Sequence, residues 1–374
     1  MKTEITVCRI TAVIDSSILS SSSAAELAGL LKVPSITAIQ GSCQMLKERT
    51  GLSLLVGSGV SLINQPIELF TILTHPESED AALALITRTF RLDIPGHGTV
   101  YSELQNHYGE IARYQGDATL LSNESVLLQS ELMGICCIVQ RGKGDAIARV
   151  ALENGASVPM ITYGQGTGLR DKLGLLRITI PADKEIINVV VSTYDADAVM
   201  NAMIDAGRLD LPGRGFIHLY PIHKGIINTK VNLSKTRHAA SMEQIIGALD
   251  EIKNGIQWRS RGAAIGTNTK KRMFLNGLMD ITLICNEGFG SNCVKAAMAI
   301  GAAGATISRC KHLIFSDSTD SGISPARESC SMVVAEKNVT QIINALETAG
   351  ALSKKAGGQI LVRPVPKACT YLGK

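Results

Sequence analysis

A chain of 374 residues, 45% hydrophobic and 19% charged, carries enough apolar material for two to four cores. A net charge of +4 is mild for this length and 4% aromatics leave little stacking surface, which argues against a nucleic-acid partner. Apolar runs such as Leu132–Val139 fall short of the roughly 18–20 residues of a membrane helix. Lys2 and Glu4, with no apolar stretch behind them, argue against a signal peptide, so a cytoplasmic protein with no transmembrane segment is expected. The nine cysteines form no CxxC pair and read as reduced core thiols.

Taken in chain order, the first elements are a strand over 4–14, a Ser-rich turn and a helix over 24–31. A strand over 35–46, a loop to Gln65, a strand over 66–74, a helix near Ala81 and a strand over 98–104 follow. The next set is a buried-type strand, Leu132–Gln140, then a helix with Asp145 as N-cap and Gly155 as stop. A strand over 158–166, a connecting loop over 168–184, a β-branched strand over 185–193, a helix from Ala196 and a strand over 215–222 complete it. The linker 228–277 holds a predicted helix in which Ser241 and Gln244 form a capping box and Ile245, Ile246, Leu249, Ile252 and Ile256 one apolar stripe. Trp258 could anchor that helix on a sheet. Arg259, Arg261, Lys270, Lys271 and Arg272 form a basic flank, either a solvated linker or a landing site for an acidic partner. The last set repeats the order: strands over 278–286, 304–314, 328–336 and 359–365, helices over 291–302 and 338–349.

The eight residues from Arg91, RLDIPGHG, return as RLDLPGRG from Arg208, and at that same spacing Ala82, Leu83 and Ile86 fall on Val199, Met200 and Met203, one face of a helix. A third copy places Ile342, Ile343 and Leu346 on that face, and Gly358, Ile360 and Pro364 on Gly215, Ile217 and Pro221. The expected fold is therefore α+β, with three tandem ferredoxin-like βαββαβ domains at 1–112, 131–227 and 278–374. Each sheet keeps one face that its own helices do not cover. Three copies can bury these faces against one another, so a monomeric chain is expected to act as a single-chain pseudo-trimer.

A Gly-x-Gly turn leaving a helix for a strand either makes only a tight connection or turns bare amides onto an anion. In the context of the repeat the second reading is preferred. The candidate ligand residues are Gly96, His97 and Gly98 with Arg91 in the first copy, Gly213, Arg214 and Gly215 with Arg208 in the second, and Gly357 and Gly358 in the third. Gly164, Gln165, Gly166 and Gly168 join them at the foot of the second copy's loop, with Arg170 just beyond. The cleft using Gly164–Gly168 and Gly213–Gly215 is expected to be the best preserved, and the first copy's the least. Gly142 and Gly144 flank a helix start that Asp145 is expected to fill. The seven histidines make no metal set, and neither a Ser–His–acid trio nor paired carboxylates fall on recognisable catalytic turns, so no enzyme and no catalytic cofactor are expected.

The second copy resembles the PII signal-transduction family. The likeness lies in the segment from Arg141 to Ala156, in the glycines of Gly164–Gly168, and in Ala206–Ile217, which resembles that family's B-loop. Phe216 stands where the family has a phosphate-facing lysine, and Arg214 where it has an aspartate. The resemblance implies homotrimer-like packing, an adenine nucleotide (ATP, ADP or AMP) bound in clefts between units as effector, often with 2-oxoglutarate, and a regulated protein partner such as a membrane transporter. The loop after Gly168 lacks the family's modifiable tyrosine, which points away from nitrogen sensing and toward a divergent branch. Two alternatives share the element order: an array resembling ACT domains that senses amino acids, and a structural trimer resembling the CutA family.

Overall fold

The computed structural model describes residues 4–19, 29, 35–48, 60–94, 96–109, 126–168, 182–227, 272–314 and 324–372. Unit one contains β1 (Ile5–Asp15), β2 (Ser35–Glu48), β3 (Val60–Thr74), α1 (Glu79–Phe90) and β4 (Gly98–Tyr108). Unit two contains β5 (Leu132–Gln140), α2 (Gly144–Glu153), β6 (Met160–Gly168), β7 (Asp183–Ser192), α3 (Ala196–Gly207) and β8 (Gly215–Ile222), followed by the short β9 (Lys224–Ile226). Unit three contains β10 (Leu278–Asn286), α4 (Gly290–Ala299), β11 (Gly304–Ile314), β12 (Ala326–Ala335), α5 (Val339–Thr348) and β13 (Gln359–Val365), followed by β14 (Ala368–Cys369). The helix expected over 24–31, Gly29 apart, and the one from Ser241, with Trp258 and the basic residues up to Lys271, lie outside the described residues. Arg272 is described and is committed to α3: its Nη1 donates to Asn201 Oδ1 at 2.8 Å and its Nη2 pairs with Asp205.

In every unit the first strand lies between the third and the fourth, and the second strand forms the far edge: β4-β1-β3-β2, β8-β5-β7-β6 and β13-β10-β12-β11. All neighbours are antiparallel, the ferredoxin-like arrangement. Strand periodicity explains why both sides of these sheets are apolar. On one side of unit two, Ile135, Cys137, Val139, Ile187 and Val189 pack under Ile147 and Ala151 of α2 and Val199 and Met203 of α3. Burying such side chains contributes roughly 1.5–3 kcal/mol each. On the other side, alternate residues Leu132, Cys136, Val190 and Tyr220 form one cluster with Val13, Ile67, Leu69 and Tyr101 of unit one. A further cluster joins Val7 of unit one to Ile284, Cys310 and Leu361 of unit three. The faces that no helix covers are thus buried between units.

Strand pairing reinforces these contacts. The three second strands pair with one another: Cys43 of β2 faces Met160 of β6, Gly166 of β6 faces Thr306 of β11, and His312 of β11 faces Thr37 of β2. Each fourth strand also receives chain from another unit, β9 on β4, β14 on β8, and the far end of β4 on β13. A 14-stranded sheet results, and edges that would otherwise expose unpaired amides are covered. The β9 segment is fastened by polar contacts as well: His223 N donates to Ser102 O at 2.8 Å, His223 Nδ1 lies 2.8 Å from Glu79 Oε1, and Lys224 Nζ donates to Asp80 Oδ1 at 2.7 Å.

The repeated RLD-x-P-G-x-G segment is a helix stop and a turn. Arg91 and Arg208 end α1 and α3 in the left-handed region, with φ of 52° and 49°. The amides of the following leucines, Leu92 and Leu209, reach back to Thr87 O and Ile204 O, and both leucines are fully buried. In unit three Gly350 takes the left-handed position and Ala351 the place of the leucine, one residue away from the sequence match.

Helix starts differ from expectation. Asp145 does not cap α2; it sits in the first turn and accepts a hydrogen bond from Gln44 Nε2 of unit one at 2.7 Å. Glu185 from β7 closes that helix end, its Oε2 accepting from Lys143 N at 3.1 Å and Gly144 N at 2.7 Å. Glu328 does the same for Gly290 N at 2.8 Å in unit three. A carboxylate at a helix N-terminus satisfies free amides and complements the helix dipole, so the anion position offered by Gly142 and Gly144 is filled internally.

Between the units lies a buried polar cluster. Glu103, Tyr220 and Arg363, each the fifth residue after Gly98, Gly215 and Gly358 respectively, meet there. Arg363 Nη1 donates to Glu103 Oε2 at 2.6 Å, its Nε donates to Asp280 Oδ2 at 2.9 Å, and its guanidinium lies 3.8 Å over the Tyr220 ring. Ser331 Oγ donates to Asp280 Oδ1 at 2.8 Å. Burial is the largest single influence on Asp280 and opposes its charge, but Arg363, His218 and Ser331 together outweigh it and hold the carboxyl below its usual range. Gly134 has to be glycine, since a Cβ there would stand 2.1 Å from a Tyr220 ring carbon.

All nine cysteines are buried and free. Among the described residues no helix is long and apolar enough to cross a membrane, and no group of three or more His, Cys, Asp or Glu is placed to hold a metal.

Candidate functional site

The cleft between unit one and unit two opens beside the first glycine turn. Unit one supplies Val13 and Asp15 from the end of β1, Cys43 and Ile67 from β2 and β3, and Gly96, Gly98 and Thr99 from the turn; unit two supplies Ser157, Val158 and Met160 before and at the start of β6. The cavity holds about 30 Å³, room for one or two waters, so a larger guest requires side chains to move. Beside it lies an open polar groove of about 360 Å³ lined by Gln40, Gly41, Ser42, Asn64, Gln65, Pro66 and Tyr163. The Gln65 side chain donates to Asp15 Oδ2 and stands between cavity and groove. Asp15 Oδ1 also accepts from Ser17 N at 2.8 Å.

The local backbone explains this arrangement. Asp15 N donates to His97 O at 3.0 Å, which ties the end of β1 to the turn. The His97 amide is used within the turn, donating to Ile94 O at 3.2 Å, and the His97 ring lies with Nδ1 3.2 Å from Phe90 O. Gly98 has φ +150°, and a Cβ there would stand 2.0 Å from Val13 O, so only glycine lets β4 start this close to β1. Burial, and then the charge of Asp15, pushes the Cys43 thiol up to about 12, so Cys43 lines the cavity as a neutral thiol.

The other candidate residues have other surroundings. Gly164, Gln165, Gly166 and Gly168 belong to β6, Gly164 and Gln165 pairing with β7 and Gln165, Gly166 and Gly168 with β11, so this segment is a strand at a unit junction rather than a loop that cradles a guest. Its glycines have a steric reason: a Cβ on Gly164 would meet Ser308 Oγ at 2.8 Å, and one on Gly166 would meet Lys184 Cε at 2.6 Å. Arg214 N donates to Leu211 O at 3.3 Å, Gly213 O accepts from Gln140 Nε2 at 3.2 Å, and Gly215 O accepts from Thr370 Oγ1 at 2.9 Å. The Arg91, Arg208 and Arg214 side chains are exposed, Arg91 standing 3.6 Å from Asp93. Gly357 O accepts from Arg327 Nη2 at 2.9 Å, and a Cβ on Gly358 would stand 1.9 Å from Ala351 O. Arg170 lies outside the described residues. The structure therefore brings Gly96 and Gly98 to a cavity and leaves Gly164–Gly168 in a sheet. Asp15, Gln65, Thr99 and Ser157 escaped the sequence reading because each comes from a different element. The one available signal was the position of Asp15 at the end of the strand that meets the turn.

No protein-family model and no curated protein matches the chain. Among solved structures, that of an aspartate kinase from Synechocystis aligns over 97% of this chain with a TM-score of 0.22 and 11% identity. The chain spans 44% of the length of that protein.

Proposed function

We propose that the chain is a regulatory protein of the PII-like kind, a single-chain pseudo-trimer that binds a small effector between unit one and unit two and is not itself a catalyst. The observation that carries this reading is the cleft at Gly96–Thr99, walled by two units and placed at the foot of the long β2–β3 hairpin. The effector we favour is an adenine nucleotide. Val13, Ile67, Val158 and Met160 offer apolar faces for a purine, Asp15 accepts from its exocyclic amine once Gln65 swings aside, and the polar groove receives the ribose and phosphates. A guest at this foot links two units and the hairpin, so it biases the hairpin between arrangements that a partner protein, such as a membrane transporter, can read.

A specific observation favours a second reading. The cavity lining contains a carboxylate and no lysine or arginine. That suits the ammonium group of an amino acid better than a phosphate, and makes amino-acid sensing in the manner of ACT domains the competing proposal.

Titration calorimetry of the full chain with ATP, ADP, AMP and a panel of amino acids separates the two. The nucleotide reading expects micromolar-range binding of at least one nucleotide, weakened roughly tenfold or more by Asp15→Ala, with Arg214→Ala affecting it little. Heat from an amino acid alone replaces it with the second reading. Silence across the panel overturns both.

A further inference from the structure

The three glycine turns have diverged in a way that bears on how many effector molecules one chain takes. Sheet register makes three residue pairs equivalent: Asp15 beside Ile67, Gln140 beside Lys184, and Asn286 beside Arg327. Each pair lies where the first strand of its unit meets the turn, as Asp15 N to His97 O at 3.0 Å and Asn286 N to Ala356 O at 2.7 Å show.

In unit one this pair lines the cavity. In unit three it is turned onto the glycine turn itself. Arg327, only 4% exposed, donates from Nη1 to Asn286 Oδ1 at 2.6 Å and from Nη2 to Gly357 O at 2.9 Å. Asn286 Nδ2 donates to Lys355 O at 2.9 Å, and its Oδ1 accepts from Ser324 N at 2.9 Å. In unit two Gln140 Nε2 is spent on Gly213 O, and the Lys184 stem packs on Gly166. A guanidinium that hydrogen-bonds the turn carbonyl occupies with protein the contact a guest would use. The substitution of Ile67 by Arg327 at equivalent positions is therefore a change from lining a cavity to filling one.

From this we infer that, of the three described glycine turns, the one in unit one alone opens on an effector-competent cleft, and that the Asn286–Arg327 pair is a built-in occupant that keeps the unit-three turn closed without ligand. The inference rests on the proposed effector reading and sharpens it. A three-unit assembly of this kind responds at one lobe while the others serve as fixed framework, so its binding curve is non-cooperative with a single site.

The test is calorimetry with ATP, and with any amino acid that gives heat, on the full chain. One molecule per chain is expected. The double variant Asp15→Asn with Ile67→Arg transplants both members of the bonded pair into unit one; it is expected to keep the wild-type circular dichroism spectrum and lose affinity roughly tenfold or more. Should that variant fail to fold, Val158→Phe fills the same cavity from unit two without adding charge and is expected to weaken binding likewise. A stoichiometry of two or three overturns the single-site inference and leaves the effector reading standing, whereas unchanged affinity in a folded cleft variant moves the guest out of this cleft and overturns both. No binding of any ligand overturns the reading and the inference together.

Discussion

Arg363→Met is expected to lower the unfolding free energy by about 3–5 kcal/mol, the usual result of removing one partner from a buried ion pair. The guanidinium is nearly out of solvent and is the partner of two carboxylates that are more buried still, Glu103 and Asp280, with side-chain exposures of 3% and 1%. Methionine matches much of its length and stacks on Tyr220, so the loss isolates the charge. Both carboxylates then stay buried without a cation and either ionise at high cost or take up protons. Adding Glu103→Gln and Asp280→Asn to the same chain removes the stranded charges and is expected to recover a large part of the loss, because neutral amides can still bond Gln105 and Ser331. Urea denaturation of the single and triple variants at pH 7 measures this. Equal stability of Arg363→Met and wild type would mean that the three units do not meet at this cluster. The same residues bear on why the units are fused: three identical subunits cannot present a carboxylate, a phenol and a guanidinium at one equivalent position, whereas a single chain with three diverged units can.

Acid is expected to destabilise the fold in a window set by three buried imidazoles. His107, His218 and His312 are each pushed from 6.5 to about 4, in every case chiefly by burial. Gln359 opposes the shift at His107 and Asp280 opposes it at His218, while Arg363 adds to it at His218 and Arg327 adds to it at His312. Well above pH 6.5 the rings are neutral in both folded and unfolded chains and their contribution to stability is complete. As pH falls from 6.5 to about 4, the unfolded chain binds protons that the folded chain does not, so stability drops, by on the order of 3 kcal/mol per ring at the lower end. Asp280, whose pKa is depressed, gives up its contribution only at still lower pH. Thermal melts between pH 7.5 and 4.5 read the slope, and a His107→Gln, His218→Gln, His312→Gln variant is expected to flatten it. A flat wild-type profile over that range contradicts the burial of these rings.

Much of the architecture is legible in the amino-acid sequence. The recurrence of Arg-Leu-Asp and Gly-x-Gly, with apolar positions at helical spacing before them, gave three units and their element order, because helix stops and strand starts leave local marks. Even so, the role of the arginine was missed: Arg91 and Arg208 adopt the left-handed conformation that glycine usually supplies, and their charge faces solvent. Glycines were the most ambiguous signal. The same residue serves a turn at Gly98, a ring at Gly134 and a crowded strand junction at Gly164, and only the neighbouring chain tells these apart. The carboxylates that close α2 and α4 could have been found, since Glu68, Glu185 and Glu328 recur at the repeat spacing, but Asp145 offered a nearer cap. The cleft itself was not legible, because Asp15, Gln65 and Ser157 come together only through β-pairings between distant segments. Ile67 and Arg327 could not be compared until register aligned them.

The most direct test of the account is amide hydrogen exchange on the full chain with and without saturating ATP. Added protection is expected in two stretches at once, Gly96–Thr99 of unit one and Ser157–Met160 of unit two, with Ala356–Gly358 of unit three unchanged. Protection confined to one unit, or centred on Gly213–Gly215 or Ala356–Gly358, would contradict it.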